Sequence, residues 1–404
     1  MSVGAPKFPI MHPVGGVLLG THCAQIKQNA RDDLLVIAMD SGSTCSAVFT
    51  QNLFCAAPVV LAKKNMSEDP RWLVINSGNA NAGTGAKGYQ DAQSVCLALS
   101  QILGGHAGQV LPFSTGVIGE LLPVEKITEA LPEAVNSLIE ENWAKAAEAI
   151  MTTDTFPKGV SKVVEIAGDK ITVTGISKGA GMIQPNMATM LSFVATDAKI
   201  ENELLQQCLQ QAVEQSFNRI TVDGDTSTND ACVLMASGFS GVPELLAGSE
   251  PYQQFCEVIN DVFVELAEAI VRDGEGATKL ISIVVSQAIN DQEAVQVGKT
   301  IAHSPLVKTA FFASDPNWGR ILAAVGRAGI ENLEVDKVSI FLGDVCIVSS
   351  GAKDSQYTEA AGQKVMAAEE ITITVCLGRG DAAQTIKTCD LSYDYVRINA
   401  EYRT

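Results

Sequence analysis

Hydrophobic positions along the chain follow two periods, and strand-like and helix-like stretches intermix from one end to the other. Residues 33–39 and 71–76 are short apolar runs, which predict buried strands. Within 88–103, Ala92, Val95, Cys96 and Leu99 recur at i, i+3, i+4 and i+7, the spacing of one helix face. Residues 131–150 predict a single amphipathic helix with Glu140, Glu141 and Lys145 on its wet side. Residues 163–176 predict a hairpin turning at Gly168-Asp169, followed by the glycine-rich loop Lys178-Gly179-Ala180-Gly181. The stretch 189–195 alternates between Pro185-Asn186 and Asp197, which predicts a strand opening near Thr189. Helices are expected over 202–217 and 255–271, the second stopping at Asp273-Gly274. Further strands are expected over 280–285, 338–342, 345–348 and 371–377.

These β-runs carry turn signals but no regular βαβ alternation. The pattern favours an α/β, mixed α+β fold with mixed sheets covered by helices. A doubly wound nucleotide fold, with a glycine-rich phosphate fingerprint behind a strand, is not expected. No repeat of 20–50 residues is visible. A length of 404 residues suits two or three domain-sized cores or one large entwined one.

Composition narrows the classes of function. The chain is 47% hydrophobic with 34 glycines and only 18% charged residues, which is globular and turn-rich. A net charge of −18, with no run of four Lys/Arg, argues against a nucleic-acid partner. No apolar run approaches the ~20 residues that span a bilayer, so no membrane partner is expected. Residues 1–20 lack a continuous apolar core and any arginine, and read as neither a signal nor a transit peptide. Ten cysteines are scattered without a Cys-x-x-Cys pair, mostly in apolar runs, as reduced thiols of a cytoplasmic protein would be. The four histidines, His12, His22, His106 and His303, show no metal-ligand spacing, so neither metal nor cofactor is expected.

The candidate chemistry centres on Thr189, in Gln184-Pro185-Asn186-Met187-Ala188-Thr189-Met190. A threonine hydroxyl becomes a good nucleophile when a base sits beside it, and a chain's own α-amine is such a base. Thr189 would gain that amine if the Ala188-Thr189 bond were cut. Thr115-Gly116 ends an apolar run, where a hydroxyl and a backbone N–H could converge as an oxyanion hole, although many strand-to-helix turns look alike. Thr152-Thr153-Asp154-Thr155 is a polar cluster or else a capped turn. Lys178 places one cation on a flexible loop eleven residues before Thr189, fit for a substrate carboxylate or else an ordinary surface lysine. Glu275, between two glycines, could approach an amine. Asp223-Gly224-Asp225-Thr226-Ser227-Thr228-Asn229-Asp230 resembles a calcium loop but has Leu234 where the twelfth ligand would fall; a loop that buttresses a site is expected instead. The tail from Tyr395 to Thr404 is aromatic and apolar, and is expected to dock on the body.

Taken in order, these stretches resemble the ornithine acetyltransferase family, the glutamate N-acetyltransferases of arginine biosynthesis. The resemblance covers nearly the whole chain. It also rests on Asn76-Ser77-Gly78-Asn79-Ala80-Asn81-Ala82-Gly83-Thr84-Gly85, on Asp315-Pro316-Asn317-Trp318-Gly319-Arg320 and on Asn399-Ala400-Glu401-Tyr402. It implies self-cleavage between Ala188 and Thr189 into an α chain, 1–188, and a β chain, 189–404, entwined in one catalytic unit. Residues from about 285 onward would form a smaller subdomain. It implies a ping-pong transfer of acetyl from N-acetylornithine to glutamate through Thr189, with Thr115 and Gly116 as the oxyanion hole. Substrate contacts would fall to Thr152, Lys178, Thr189, Glu275, Asn399 and Thr404, with Thr153 as an alternative to Thr152. The implied fold is an αββα sandwich of two mixed sheets between helical layers, with a smaller C-terminal α/β region. The implied assembly is a heterotetramer of two α and two β chains. Whether acetyl-CoA also serves as a co-substrate stays open. Competing expectations are a self-processing aminopeptidase or amidase with the same nucleophile, and a non-catalytic binding relative, which would need a broken nucleophile or oxyanion pair; both are intact here.

Overall fold

The computed structural model describes residues 3–4, 7–27, 30–184 and 190–401. Its strands are β1 (Val17–His22), β2 (Leu34–Met39), β3 (Thr44–Phe49), β4 (Trp72–Asn79), β5 (Val110–Val117), β6 (Lys158–Ile166), β7 (Asp169–Lys178), β8 (Leu191–Thr196), β9 (Ala231–Ala236), β10 (Leu280–Ala288), β11 (Ser339–Leu342), β12 (Val345–Ser349), β13 (Ala352–Lys353), β14 (Glu370–Cys376) and β15 (Ala382–Cys389). Its helices are α1 (Ala57–Asn65), α2 (Gly85–Leu103), α3 (Val124–Asn136), α4 (Trp143–Ala149), α5 (Asn202–Gln215), α6 (Glu250–Arg272), α7 (Asp291–Ala302), α8 (Pro305–Phe312), α9 (Trp318–Gly326), α10 (Glu359–Met366) and α11 (Tyr393–Ala400).

Two sheets face each other, in the orders β1-β2-β4-β5 and β3-β9-β8-β7-β6. Alternation along the strands explains the layering. Leu35, Ile37, Leu73, Ile75, Leu111 and Phe113 of the first sheet meet Ile176, Phe193, Val233 and Met235 of the second in one core. The Phe113 and Phe193 rings join the two sheets edge-to-face, with centroids 5.2 Å apart; such a pair adds about 1 kcal/mol to the burial of its rings. The outer face of the first sheet carries Leu34, Val36 and Val74 against α2 and α3, and that of the second packs on α5 and α6. The result is an αββα sandwich of mixed sheets. A third sheet, β13-β12-β11-β14-β10-β15, has its own core with α7 and α9, so a further α/β layer follows the sandwich.

The strand periods and the long helices at α2, α5 and α6 lie where the sequence pattern puts them. The helix expected over 131–150 is instead two, α3 and α4, with an irregular link. The reason is tertiary. β1 is an edge strand, and its Leu19 exchanges N–H···O bonds of 2.9 and 3.2 Å with Ile139, while Asn142 Nδ2 donates to Leu19 O and Ser137 O. Covering that edge takes the link out of helical geometry. Glu140 correspondingly turns inward to accept from Gly16 N, while Glu141 and Lys145 stay exposed. The β6/β7 hairpin turns one residue earlier than expected, at Ala167 and Gly168, both at positive φ, as two-residue hairpin turns require. A Gly-x-Gly-x-x-Gly string does occur, contrary to expectation: Gly83 to Gly88 joins β4 to α2. Its last glycine has a packing reason, because a Cβ there would lie 1.8 Å from Thr84 Oγ1 and 2.4 Å from Asn81 Oδ1.

All ten cysteines are free thiols, five buried and five half-buried. No helix among the described residues is long and apolar enough to cross a membrane.

Candidate functional site

The two facing sheets leave a cavity of about 290 Å³ at one end, between β5, β7, the loop before β9 and the turn after α6. Thr115, Gly116, Thr152, Thr153, Lys178, Glu275 and Asn399 all line it. The structure thus brings together residues that are up to 284 positions apart in sequence (Thr115 to Asn399). Thr189, Ala188 and Thr404 lie outside the described residues.

β5 runs parallel to β4, with Gly116 opposite Gly78 at an irregularity in the register. Gly116 has φ +134, and a Cβ there would sit 2.3 Å from the Gly78 carbonyl carbon. Both backbone conformation and close approach therefore demand glycine, which leaves the strand end open to the cavity.

Lys178 ends β7 and is only 9% exposed. It is a buried strand residue, not the flexible-loop or surface lysine that the glycine-rich context suggested. Its Nζ donates to Thr152 Oγ1 at 2.8 Å and to Thr115 Oγ1 at 3.2 Å. Of the adjacent pair 152–153, Thr152 is thus the one bonded to the cation. Burial lowers the Lys178 pKa; Asp154, Asp230 and Glu275 oppose that shift, and Lys158 reinforces it.

Asp154 organises this end of the site. Oδ2 accepts from Thr152 N at 2.9 Å; Oδ1 accepts from Gly179 N at 2.7 Å and from Lys158 Nζ at 2.6 Å. Lys158 also donates to Asp273 Oδ2 at 2.6 Å, and all three side chains of this bridge are shut off from water or nearly so. Burial pushes the Asp154 carboxyl up, but Lys158, Lys178 and the two backbone N–H groups outweigh it and hold the group below the usual carboxylate range. Asp273 goes the other way: burial raises it, only partly offset by Lys158. One carboxylate thereby fixes the loop bearing Thr152 and the turn after Lys178.

Glu275 supplies an acid to the same cavity. Glu275 is buried, its N–H bonded to Ala180 O, and its Oε2 accepts from Asn399 Nδ2 at 2.8 Å. Gly181 makes room for it, since a Cβ at 181 would lie 2.4 Å from Glu275 Cδ. Gly181→Ala should therefore displace the carboxylate and raise KM for a cationic substrate about tenfold, with unfolding unchanged; steady-state kinetics and a urea titration check this.

The C-terminal segment docks, as expected, but through polar contacts. Ser392 Oγ donates to Gly276 O at 2.6 Å, and Tyr395 OH bonds Asp223 Oδ2 at 3.4 Å. Val396 faces outward, and Tyr393, 84% exposed, meets Phe312 edge-to-face with ring centroids 5.4 Å apart. The loop 223–230 buttresses the site. Asp223 accepts from Met182 N and Ile183 N, and Asn229 Nδ2 bridges Ala80 O and Ser114 O.

Lys178 and Glu275 thus line one small chamber together with the Thr115 and Thr152 hydroxyls and Gly116. Such a site suits a zwitterionic amino acid carrying an acyl group. The model of the ArgJ family matches residues 18–404. The chain belongs to the ArgJ family. Among relatives, the "Arginine biosynthesis bifunctional protein ArgJ" of Methylococcus capsulatus is 61% identical over 392 residues, covering 97% of this chain and 96% of that one. The protein of the same description from Pseudomonas fluorescens is 55% identical over the full length of both. A crystal structure of the arginine biosynthesis bifunctional protein ArgJ from Bacillus halodurans superposes with a TM-score of 0.51 at 43% identity, covering 53% of this chain and all of that one.

Sequence reasoning assigned no individual role to Asp154, Lys158 or Asp273 in this ArgJ-family site, and took Asp223 and Asp230 only as members of a buttressing loop. A signal was present for two of them. Lys158 stands as a lone charge beside Phe156-Pro157, and Asp273 precedes the Gly-Glu-Gly turn.

Proposed function

We propose that this ArgJ-family chain transfers the acetyl group of N2-acetyl-L-ornithine to L-glutamate through an acetyl ester on Thr189. The observation that carries this is the convergence of Thr115, Gly116, Thr152, Lys178, Glu275 and Asn399 on one cavity that holds both a cation and an acid. The relatives named above, described as bifunctional arginine-biosynthesis proteins, support a reaction in arginine biosynthesis.

In this proposal the chain first cuts itself. Thr189 Oγ attacks the Ala188 carbonyl, the peptide nitrogen leaves as the new α-amine, and water opens the ester to give chains 1–188 and 189–404. That α-amine, with a pKa of roughly 7.7–8.0, then takes the Thr189 hydroxyl proton. Oγ attacks the acetyl carbonyl, and Thr115 and Gly116 donate to the oxyanion, a donor of this kind contributing about 3 kcal/mol. The tetrahedral adduct expels ornithine, whose nitrogen takes the proton. The glutamate amine attacks the acetyl ester next, and N-acetylglutamate leaves as the Oγ–H bond re-forms. Lys178 holds the substrate carboxylate, with Thr152 beside it. Glu275 and Asn399 face the side-chain amine of ornithine, and Thr404 is a further substrate contact. Two α and two β chains form the working heterotetramer, in the cytoplasm. The description of the relatives as bifunctional favours acetyl-CoA as a second acetyl donor to glutamate.

The test is ornithine release from N-acetylornithine with and without glutamate. Sustained release only with glutamate is expected. Release that ignores glutamate would make the chain a hydrolase of the aminopeptidase or amidase kind.

A further inference from the structure

One carboxyl of the cavity has been given no role. Asp230 stands immediately before β9, is 3% exposed and lines the chamber. Ser227 engages it through its N–H and hydroxyl, yet Asp230 Oδ2 meets no donor among the described residues. Buried carboxyl oxygens are rarely left this way. Asp154, in the same site, has Lys158 and two N–H groups on its two oxygens. Asp230 has no such partner. Lys178, facing it from β7, donates instead to the hydroxyls of Thr115 and Thr152. The Cys55 thiol, just before α1, also lies near it and brings no positive charge.

A dry, unpaired carboxylate is costly, so the group keeps its proton. Burial pushes Asp230 well above the usual carboxylate range, and Ser227 and Lys178 offset this only in part. A protonated carboxyl has an O–H to donate. Among the described residues Lys178 is the only Lys or Arg lining the cavity, and it is engaged by two hydroxyls. The free oxygen therefore awaits an acceptor brought by a ligand. A carboxylate has lone pairs for two donors, one from an ammonium and one from an acid.

We propose that Asp230 is a further substrate-binding residue, which as a carboxylic acid donates through Oδ2 to the carboxylate of the amino acid that Lys178 attracts. This rests on the amino-acid reading of the site given above. It adds a neutral donor that lets an acidic protein hold an anion without a second cation.

The test is calorimetric binding of ornithine, and of putrescine, which is ornithine without its carboxylate, to the full protein. Neither probe requires acetyl transfer, so failure of the transfer reaction and failure of this proposal are separable. Asp230→Ala should weaken ornithine by about 10- to 100-fold, the range for a hydrogen bond to a charged group, and leave putrescine as in the wild type. Asp230→Asn, which keeps an N–H donor, should restore most of the ornithine affinity. The infrared spectrum of the wild type should show a protonated carboxyl band that shifts on ornithine binding and is missing from Asp230→Asn. That spectrum decides the matter even if the alanine variant fails to fold. Equal weakening of both probes by Asp230→Ala, an asparagine variant as weak as alanine, absence of the band, or no binding of ornithine to the wild type would each overturn the proposal.

Discussion

Thr189→Ala should leave the protein as one uncut chain and lower acetyl transfer about a millionfold, the scale of losing an enzymatic nucleophile. The two losses have one cause. The same oxygen attacks the Ala188 carbonyl once and then the acetyl carbonyl in every turnover. The α-amine that serves as base exists only after the first attack, so removing the hydroxyl also removes the base. Intact-mass measurement reads the first loss and ornithine release reads the second. Thr189→Ser, which keeps a hydroxyl at the same position, should cut itself and turn over measurably. A Thr189→Ala protein that still divides into two fragments would place the nucleophile elsewhere.

Asp154→Ala carries the second large effect, this time on stability and substrate binding together. The carboxylate is fully buried and shares Lys158 with Asp273. Removing it leaves buried positive charge under-compensated, which costs about 3–5 kcal/mol. It also frees the N–H groups of Thr152 and Gly179, so both the Thr152 loop and the turn after Lys178 lose their tether. A lower urea midpoint at pH 7 and a raised KM for N-acetylornithine should appear in the same variant. The pH dependence has a definite sign. Despite burial, Lys158, Lys178 and the N–H donors hold folded Asp154 below its unfolded value. Its stabilisation is therefore complete above an unfolded pKa of about 3.9 and is lost as pH falls from there through the folded value. Asp273, raised by burial, contributes the opposite trend, with stability lost as pH rises from about 3.9 through its folded value. The stability gap between wild type and Asp154→Ala should thus be widest near neutrality and narrow in acid. Equal urea midpoints at pH 7 would remove Asp154 from its organising role.

Much of this architecture is legible where pattern and packing agree. α2, α5 and α6 bury the apolar stripes that their 3.6-residue spacing defines. The 131–150 segment reads as one helix because its apolar spacing is helical throughout, while the break depends on Leu19 of a distant edge strand. β1, β3, β9 and β15 and the helices α1 and α7–α10 go unread in the sequence analysis, although α7 carries a helical stripe of Ala294, Val297, Gly298, Ile301 and Ala302. At the site, glycines and threonines marked the chamber because backbone close to a ligand leaves compositional traces. Gly116 and Gly181 are each demanded by an atom within 2.4 Å of where a Cβ would stand. The buried bridge of Asp154, Lys158 and Asp273 was not legible. Asp154 looks like part of a capped turn until Lys158 and Asp273, the latter 119 positions on, are seen on either side of one ammonium. Lys178 looked like a loop cation because its strand ends at a glycine-rich stretch, and only the β7–β8 pairing shows that it is sheet.

The most direct test of the account is the mass of the purified wild-type protein before and after exposure to N-acetylornithine without glutamate. The account predicts two fragments meeting at Ala188-Thr189, with one acetyl group gained by the 189–404 fragment, located on Thr189 and discharged when glutamate is added. A single uncut chain that is fully active, or an acetyl group found on any other residue, would contradict it.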